Sequence, residues 1–274
     1  MLFVDLHTHT TASDGQYSPS ELIDRAKDAG IQCLAVTDHD TVDGVEEAVK
    51  AGSTNGILVL RGVELGAKEY RYLHILGLGL PSGHTPLDDL CRKLKESRNE
   101  RKYRIAAFLK EKGIIVPLDE VEKLAGGGVV ARPHFAKVML DHGFVSSIKD
   151  AFDRYLDTNE YQRIERFKAS AAECIQAIHQ SGGKAVLAHP YQLGLPDAAL
   201  ESLIAALRNE GLEALECYYP QHSPDMVKKY LVLAKKFGLH ITAGSDFHGE
   251  TIHPDNPLTP VWLDIDWIQD KSKF

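Results

Sequence analysis

Asp5-Leu6-His7-Thr8-His9, followed by Ser13-Asp14-Gly15 and then by Thr37-Asp38-His39-Asp40, is the stretch on which the reading of this chain turns. Two histidines stand at alternate positions of an apolar segment, so in a strand both imidazoles point the same way. A carboxylate and a third histidine then arrive at the ends of neighbouring elements. The same pattern recurs downstream. Glu64 ends the apolar run 58–64, His74 lies in the run 72–78, and His189 follows the run 185–188 in Leu-Ala-His-Pro. Asp246 and His248 follow the last apolar run in Gly-Ser-Asp-Phe-His-Gly. In parallel α/β folds the carboxyl ends of the strands converge on one face, where barrel active sites sit.

Between these strands the chain reads as helices. Ser18-Pro19-Ser20-Glu21 is a helix start, with Ser18 as N-cap, proline at the first helical position and Glu21 completing a capping box. Further helices are predicted from near Thr41, over 171–181, 198–209 and 224–237, alternating with strands at 33–37, 185–188, 214–216 and 240–244. Such repeated βα units imply a parallel sheet, open or closed into a barrel. The middle differs: from about Arg98 to Glu165 the pattern is helical, over 101–112, 118–125, 133–142 and 147–156, with no clear strand. Gly126-Gly127-Gly128 reads as a turn, because no GxxxxGK[ST] accompanies it. The expected architecture is a barrel built from 1–97 and 166–274 with an all-helical insert at 98–165.

Composition narrows the function classes. A net charge of −8 over 274 residues argues against a general nucleic-acid binder, and no duplex DNA partner is expected. The four cysteines (Cys33, Cys91, Cys174, Cys217) form no CxxC pair and read as reduced, buried thiols. The first residues have neither a basic start nor a long apolar region, and no apolar stretch approaches the ~20 residues of a membrane span. A cytoplasmic protein with no membrane and no obligate protein partner is therefore expected. One segment opposes the acidic balance. Between Cys91 and Lys112 nine Lys and Arg face three Glu, a local charge of 9 − 3 = +6. Arg98 and Arg101 lie three apart on that predicted helix and can face one anion, with Lys102 alongside.

Six histidines (His7, His9, His39, His74, His189, His248) and three carboxylates (Asp14, Glu64, Asp246) on one rim exceed what a single ion needs. Imidazole with carboxylate suits Zn, Mn or Fe, and the carboxylate share leaves room for Mn(II). Two or three ions would acidify a bridging water and generate hydroxide at neutral pH.

These motifs resemble the PHP (polymerase and histidinol phosphatase) family of metallo-phosphoesterases, whose usual motifs occur here in order. Ala12-Ser13-Asp14-Gly15, the run from Gly182 to Pro190, and Arg132-Pro133-His134-Phe135 are similar to its YciV-type branch of nucleoside 3′,5′-bisphosphate phosphatases and 5′→3′ exoribonucleases. The resemblance implies a distorted (β/α)7 barrel and three divalent ions, most often Mn2+, with Fe2+ or Zn2+ as substitutes. It implies that His7, His9 and Asp246 hold the first ion, with Glu64 bridging to another. Asp14, His39 and His248 would hold the second, and His74 and His189 the third. His7, His9, Glu64, Asp246 and His248 would carry catalysis. Asp38 and Asp40 are expected to orient His39 and to cap the next helix.

The branch also implies that Arg98, Asn99, Arg101 and Lys102, with Arg132 and His134, bind a substrate phosphate that is not cleaved. His222 follows the strand at 214–216 and is a further candidate substrate contact. The expected reaction is phosphomonoester hydrolysis by a metal-bridging hydroxide, on the 3′-phosphate of a nucleoside 3′,5′-bisphosphate or on short 5′-phosphorylated RNA. Histidinol-phosphate hydrolysis and a non-catalytic metal-binding module are the alternatives. His84, His142, His179, His240 and His253 show no partner pattern.

Overall fold

A computed structural model of the chain describes residues 1–83, 85–125, 130, 132–164 and 167–268, and of Arg98 the backbone only. His84, the Gly126-Gly127-Gly128 turn and the 165/166 boundary lie outside the described residues. The chain divides into two compact units, Met1–Arg92 with Lys168–Phe274, and Lys93–Phe167.

The first unit opens with β1 (Leu2–Thr8), α1 (Pro19–Asp28), β2 (Cys33–Val36), α2 (Val45–Asn55), β3 (Leu58–Gly66) and β4 (His74–Leu78). The Ser18 capping box forms as the sequence predicts: Glu21 N–H donates to the Ser18 hydroxyl and Ser18 N–H to the Glu21 carboxylate. α2 starts later than Thr41, at Val45, with Gly44 as an N-cap that supplies no side chain. Asp40 therefore does not cap it.

α3 (Pro86–Glu111) begins well before the expected Arg101. Thr85 donates from its N–H and its hydroxyl to Asp88, both at 2.7 Å, and Pro86 occupies the first helical position, so the helix has a complete start there. After the middle segment come α8 (Ala171–Gln180), β5 (Lys184–Leu187), α9 (Asp197–Asn209), β6 (Ala214–Tyr218), α10 (Pro224–Phe237), β7 (His240–Ala243) and β8 (Val261–Leu263). The intervening α4 (Leu118–Leu124), α5 (Arg132–Asp141), α6 (Ile148–Ala151) and α7 (Asn159–Gln162) belong to the second unit. The expected helix over 147–156 is instead α6 running into a π-turn at Phe152–Leu156.

The strands form one eight-stranded sheet in the order β7-β6-β5-β4-β3-β2-β1-β8. It is nearly closed, because the segment leaving β7 returns to β1: Asp246 N–H donates to His7 O at 2.8 Å and His9 N–H to Phe247 O at 2.9 Å. The expected parallel sheet is interrupted at two places. β4 runs antiparallel to both β3 and β5, and β8, which the sequence reading missed, is antiparallel to β1. The cause at β4 is the short connection from Gly66 to His74. A parallel crossover needs a dozen or more residues, whereas an antiparallel return does not. Reversal puts the start of β4, not its end, on the rim where β1, β2 and β3 finish.

Val4, Leu6, Ala35, Leu60, Leu76 and Val186 pack inside the sheet, with Ile265 and Ile268 joining them. Leu22, Ile23 and Ala26 of α1 cover Leu34, Val36 and Val59 outside it. Each fully buried Leu or Ile contributes about 1.5–3 kcal/mol, against about 1 kcal/mol for a cap, so packing rather than capping holds these layers. All four cysteines are buried free thiols, and burial pushes Cys33, Cys174 and Cys217 up to about 12. The helical unit has a core of its own around Ile105, Leu109, Phe135, Met139 and Tyr161, and among its described residues there is no strand. No helix among the described residues is long and apolar enough to cross a membrane.

Candidate active site

Glu64, at the rim end of β3 and wholly buried, is the centre of the site. Five imidazoles reach its two oxygens. Oε2 lies 3.4 Å from His7 Nε2, 3.2 Å from His9 Nε2 and 2.9 Å from His39 Nδ1. Oε1 lies 2.7 Å from His74 Nδ1 and 3.0 Å from His189 Nε2. Asp246 Oδ1 closes the first side, 3.5 Å from His7 Nε2 and 3.2 Å from His9 Nε2. Asp14, brought in by the loop after β1, lies 3.3 Å from His248 Nε2 and 3.9 Å from both His9 Nδ1 and His39 Nε2.

Three overlapping ligand groups result: His7, His9, Glu64 and Asp246; His9, Asp14, His39 and His248; and His39, Glu64 and His74. Within each, the ligand atoms lie within 4.8 Å of one another. His189 joins the third side through Glu64 and through His74, at 3.2 Å. The groups share His9, His39 and Glu64, a more connected arrangement than three separate sets.

The donor set fits divalent cations. His7 Nε2, both ring nitrogens of His9 and Glu64 Oε2 are buried without a hydrogen-bond partner, and buried polar atoms are otherwise almost always satisfied. Ring tautomers are set from behind. His248 Nδ1 donates to Asp246 O at 2.9 Å and His7 Nδ1 to Glu216 at 3.2 Å, so in each ring Nε2 is the nitrogen that faces the carboxylates and would give up its proton to bind a cation.

Electrostatics agree. Burial opposes a positive charge on His7 and His9, yet the surrounding carboxylates outweigh it, holding His7 well above the ordinary imidazole value and His9 at about 10. His39 is raised against the same opposition, by Glu64 and Asp14. Burial lowers His74 and His248. Burial would push Glu64 and Asp246 up, but the imidazoles keep both well below the usual carboxylate range. The rim is thus an anionic cluster made to hold positive charge.

Two of its residues sit in left-handed backbone that favours glycine, His189 at φ 22° and Asp246 at φ 55°. Each is pinned by its own N–H, His189 to Glu216 at 2.6 Å and Asp246 to His7 O.

Residues 5–183 match the PHP domain family. The chain belongs to the PHP domain family. Among its relatives, a Haemophilus influenzae protein named 5′-3′ exoribonuclease is 34% identical over 270 residues, 94% of this chain and 97% of its own. A Chromobacterium violaceum protein named 3′,5′-nucleoside bisphosphate phosphatase is 31% identical over 97% of both chains. A solved structure from Chromobacterium violaceum, described as an amidohydrolase with bound sulfate and no metal, superposes with a TM-score of 0.77 at 32% identity, covering 93% of this chain and 90% of that one.

In this PHP protein the expected phosphate-binding residues fare unevenly. Arg101 and Arg132 come together on Tyr161, their guanidinium carbons 5.3 and 6.0 Å from its ring centre. Arg132 also pairs with Asp157 at 2.9 Å, and Lys102 with Glu122 at 2.7 Å. Asn99 is exposed on α3, and burial lowers the pKa of His134. His222 is buried, donates from Nδ1 to Cys217 O at 3.0 Å and keeps Nε2 without a partner. Of the remaining histidines, His142 pairs with Glu120 and His179 with Glu213, while His253 packs at 4.7 Å on His248.

Sequence reasoning missed Asp5, Glu216 and Tyr219, and misassigned Asp38. The Asp38 carboxylate makes its hydrogen bonds to the loop after β1 and none to the His39 ring. It accepts from Thr10 N–H (2.8 Å), the Thr10 hydroxyl (2.7 Å) and the Ser13 hydroxyl (2.6 Å), shaping the loop that carries Asp14. Burial pushes Asp5 up to about 6, while it accepts from Ser245 N–H at 2.9 Å. Glu216 had one readable signal, a lone acid between Leu215 and Cys217 in an apolar strand.

Proposed function

We propose that this protein is a metal-dependent phosphoesterase that removes the 3′-phosphate of nucleoside 3′,5′-bisphosphates and shortens 5′-phosphorylated RNA oligonucleotides from the 5′ end. The observation that carries this reading is the overlap of three imidazole–carboxylate ligand groups on Glu64. Relatives named for those two activities, matching along nearly the whole chain, support the substrate class. Three divalent ions, Mn2+ foremost, suit the count of groups and their carboxylate share.

His7, His9, Glu64 and Asp246 would hold one ion, His9, Asp14, His39 and His248 a second, and His39, Glu64, His74 and His189 a third. When bound, divalent ions supply a water acidic enough to attack phosphorus at neutral pH and positive charge against the phosphate oxygens. The residues themselves orient and exclude. Glu216 and the Asp246 carbonyl keep the Nδ1 protons of His7 and His248 away from the reacting face. Burial of His7, His9, Glu64, His189 and Asp246 keeps bulk water from screening that part of the rim, while Asp14 stands exposed at its edge. His222 offers the bare Nε2 as an acceptor for a substrate hydroxyl. Arg98, Asn99, Arg101, Lys102, Arg132 and His134 bind the phosphate that stays on the substrate; arginine's planar fork suits it.

The test is a substrate panel with the Mn2+-loaded protein: 3′-phosphoadenosine 5′-phosphate, a 5′-phosphorylated oligoribonucleotide, histidinol phosphate and p-nitrophenyl phosphate. The first should give inorganic phosphate and adenosine 5′-monophosphate, and the second nucleoside 5′-monophosphates. Faster turnover of histidinol phosphate than of either would overturn the assignment, and no turnover of any would leave a binding module. Arg101→Ala should raise KM for the bisphosphate about 10–100-fold, the worth of one hydrogen-bonded charge, without raising it for p-nitrophenyl phosphate. Equal effects on both would remove Arg101 from the reading.

A further inference from the structure

We infer that Tyr219, on the loop after β6, is a positioning residue whose hydroxyl fixes the rotation of Asp246, so that one carboxylate oxygen of Asp246 is reserved for metal. The inference rests on the metal site proposed above.

Counting hydrogen-bond capacity leads to it. The Tyr219 oxygen lies 2.9 Å from Gln192 Nε2 and 2.9 Å from Asn256 Nδ2. Both are amide nitrogens and can only donate, and a phenol oxygen accepts at most two such bonds. The Asn256 Oδ1 in turn accepts from Gln221 Nε2 at 2.7 Å, so the Asn256 amide is engaged on both sides. With both amides donating to it, the hydroxyl directs its own proton to Asp246 Oδ2 at 3.4 Å, a carboxylate oxygen that can only accept. That occupies the oxygen of Asp246 turned away from the histidines. Oδ1 is left facing His7 and His9, on the side where the ion would sit.

The surroundings leave little alternative. Tyr219, Asn256 and Asp246 are 5%, 1% and 7% exposed, so water does not replace these bonds. Asp246 is held in left-handed backbone, which fixes where its side chain starts but not how the carboxylate turns. Gln192 lies in the 3-10 turn Pro190–Leu193 and donates from its N–H to His189 O at 2.9 Å. One hydroxyl therefore ties together the loops after β5, β6 and β7, each of which brings a residue to the rim. Removing it frees Asp246 to rotate and unlinks the His189 turn, without removing any metal ligand.

The experiment is calorimetric titration of metal-stripped protein with Mn2+, on wild type, Tyr219→Phe, Gln192→Leu and Tyr230→Phe. Circular dichroism and a metal-free melt on each variant establish folding. Losing a partner behind a ligand weakens metal affinity about 10–100-fold, the effect expected for Tyr219→Phe. Gln192→Leu leaves the hydroxyl and its bond to Asp246 in place and should weaken binding less. Tyr230 is buried against His222, at 4.6 Å between rings, so Tyr230→Phe should leave affinity unchanged. Wild-type affinity in a folded Tyr219→Phe overturns the inference. So does an equal loss in Tyr230→Phe, which would signal general packing, or a loss in Gln192→Leu as large as in Tyr219→Phe. If wild type binds no Mn2+ at all, the proposed function fails, and this inference with it.

Discussion

Glu216 affords the sharpest test of how the rim is organised. Its carboxylate lies 3.2 Å from His7 Nδ1 through one oxygen and 2.6 Å from His189 N–H through the other, and all three residues are buried. Glu216→Ala strips both donors of their acceptor. An unsatisfied buried donor costs about 1–3 kcal/mol, so the loss is about 2–6 kcal/mol out of a typical total of about 5–15. Glu216→Gln keeps the shape and is the more telling change. If the amide oxygen stays on His189 N–H, the amide NH2 faces His7 Nδ1. His7 must then accept there, which leaves its one remaining proton on Nε2, the atom aimed at Glu64 and Asp246. If the amide turns the other way, NH2 opposes the His189 N–H, a donor against a donor at 2.6 Å. Stability should fall by about 1–2 kcal/mol in urea unfolding of metal-free protein, the cost of one mismatched buried bond. Mn2+ affinity should fall about 10–100-fold by calorimetry, out of proportion to that loss. A Glu216→Gln protein whose Mn2+ affinity and kcat both match wild type would refute the tautomer argument.

Gly244→Ala should destabilise the metal-free protein by about 1–3 kcal/mol by overpacking, since a Cβ there would meet Glu216 Oε1 and His7 Cβ at 2.3 Å each. Gly66→Ala, whose Cβ would find its nearest neighbour, His74 Cδ2, at 3.7 Å, should stay within about 0.5 kcal/mol in the same urea titration, and a reversed order would contradict the packing. Far from the rim, Glu213 accepts from Lys184 Nζ (2.9 Å), His179 (3.0 Å) and Ala185 N–H (3.0 Å). Burial would raise its pKa, but Lys184 and the backbone bond prevail and hold it below the ordinary value. A depressed carboxylate contributes stability above its unfolded pKa and loses it as pH falls through the folded one. Wild type should therefore exceed Glu213→Gln by about 1 kcal/mol at pH 7, with the gap closing below about pH 4. A gap that stays constant down to acid pH would refute this.

What could be read from the sequence was what local pattern controls. His7, His9, His39 and Glu64 follow or end short apolar runs, so their convergence needed only the rule that strand ends share a rim. The Ser18 box and α10 needed only a cap and a period. Long-range pairing was not legible: nothing at Lys102 announces Glu122, and nothing at Arg132 announces Asp157. Three residues of β8 are too few to show alternation. Tyr219 and Asp5 look like any strand-end polar residue until their partners, dozens to hundreds of positions away, are in place.

His74 shows where an expectation rested on an incomplete reason. Among parallel strands a residue at the start of a strand lies on the face opposite the one where strands end. By that rule His74, the first residue of β4, belongs far from Glu64. Its Nδ1 is nevertheless 2.7 Å from Glu64 Oε1. The resolution is the connection 67–73, too short for a crossover helix, which forces β4 to return beside β3. Gly66 pairs with His74 and Glu64 with Leu76, so the turn itself delivers the imidazole to the rim. Connection length is as visible in the sequence as the histidine, and counting it would have predicted both the antiparallel strand and the place of His74. A ligand pattern in an α/β chain is therefore best read together with the connections between its strands, because the connections decide which end of each strand counts.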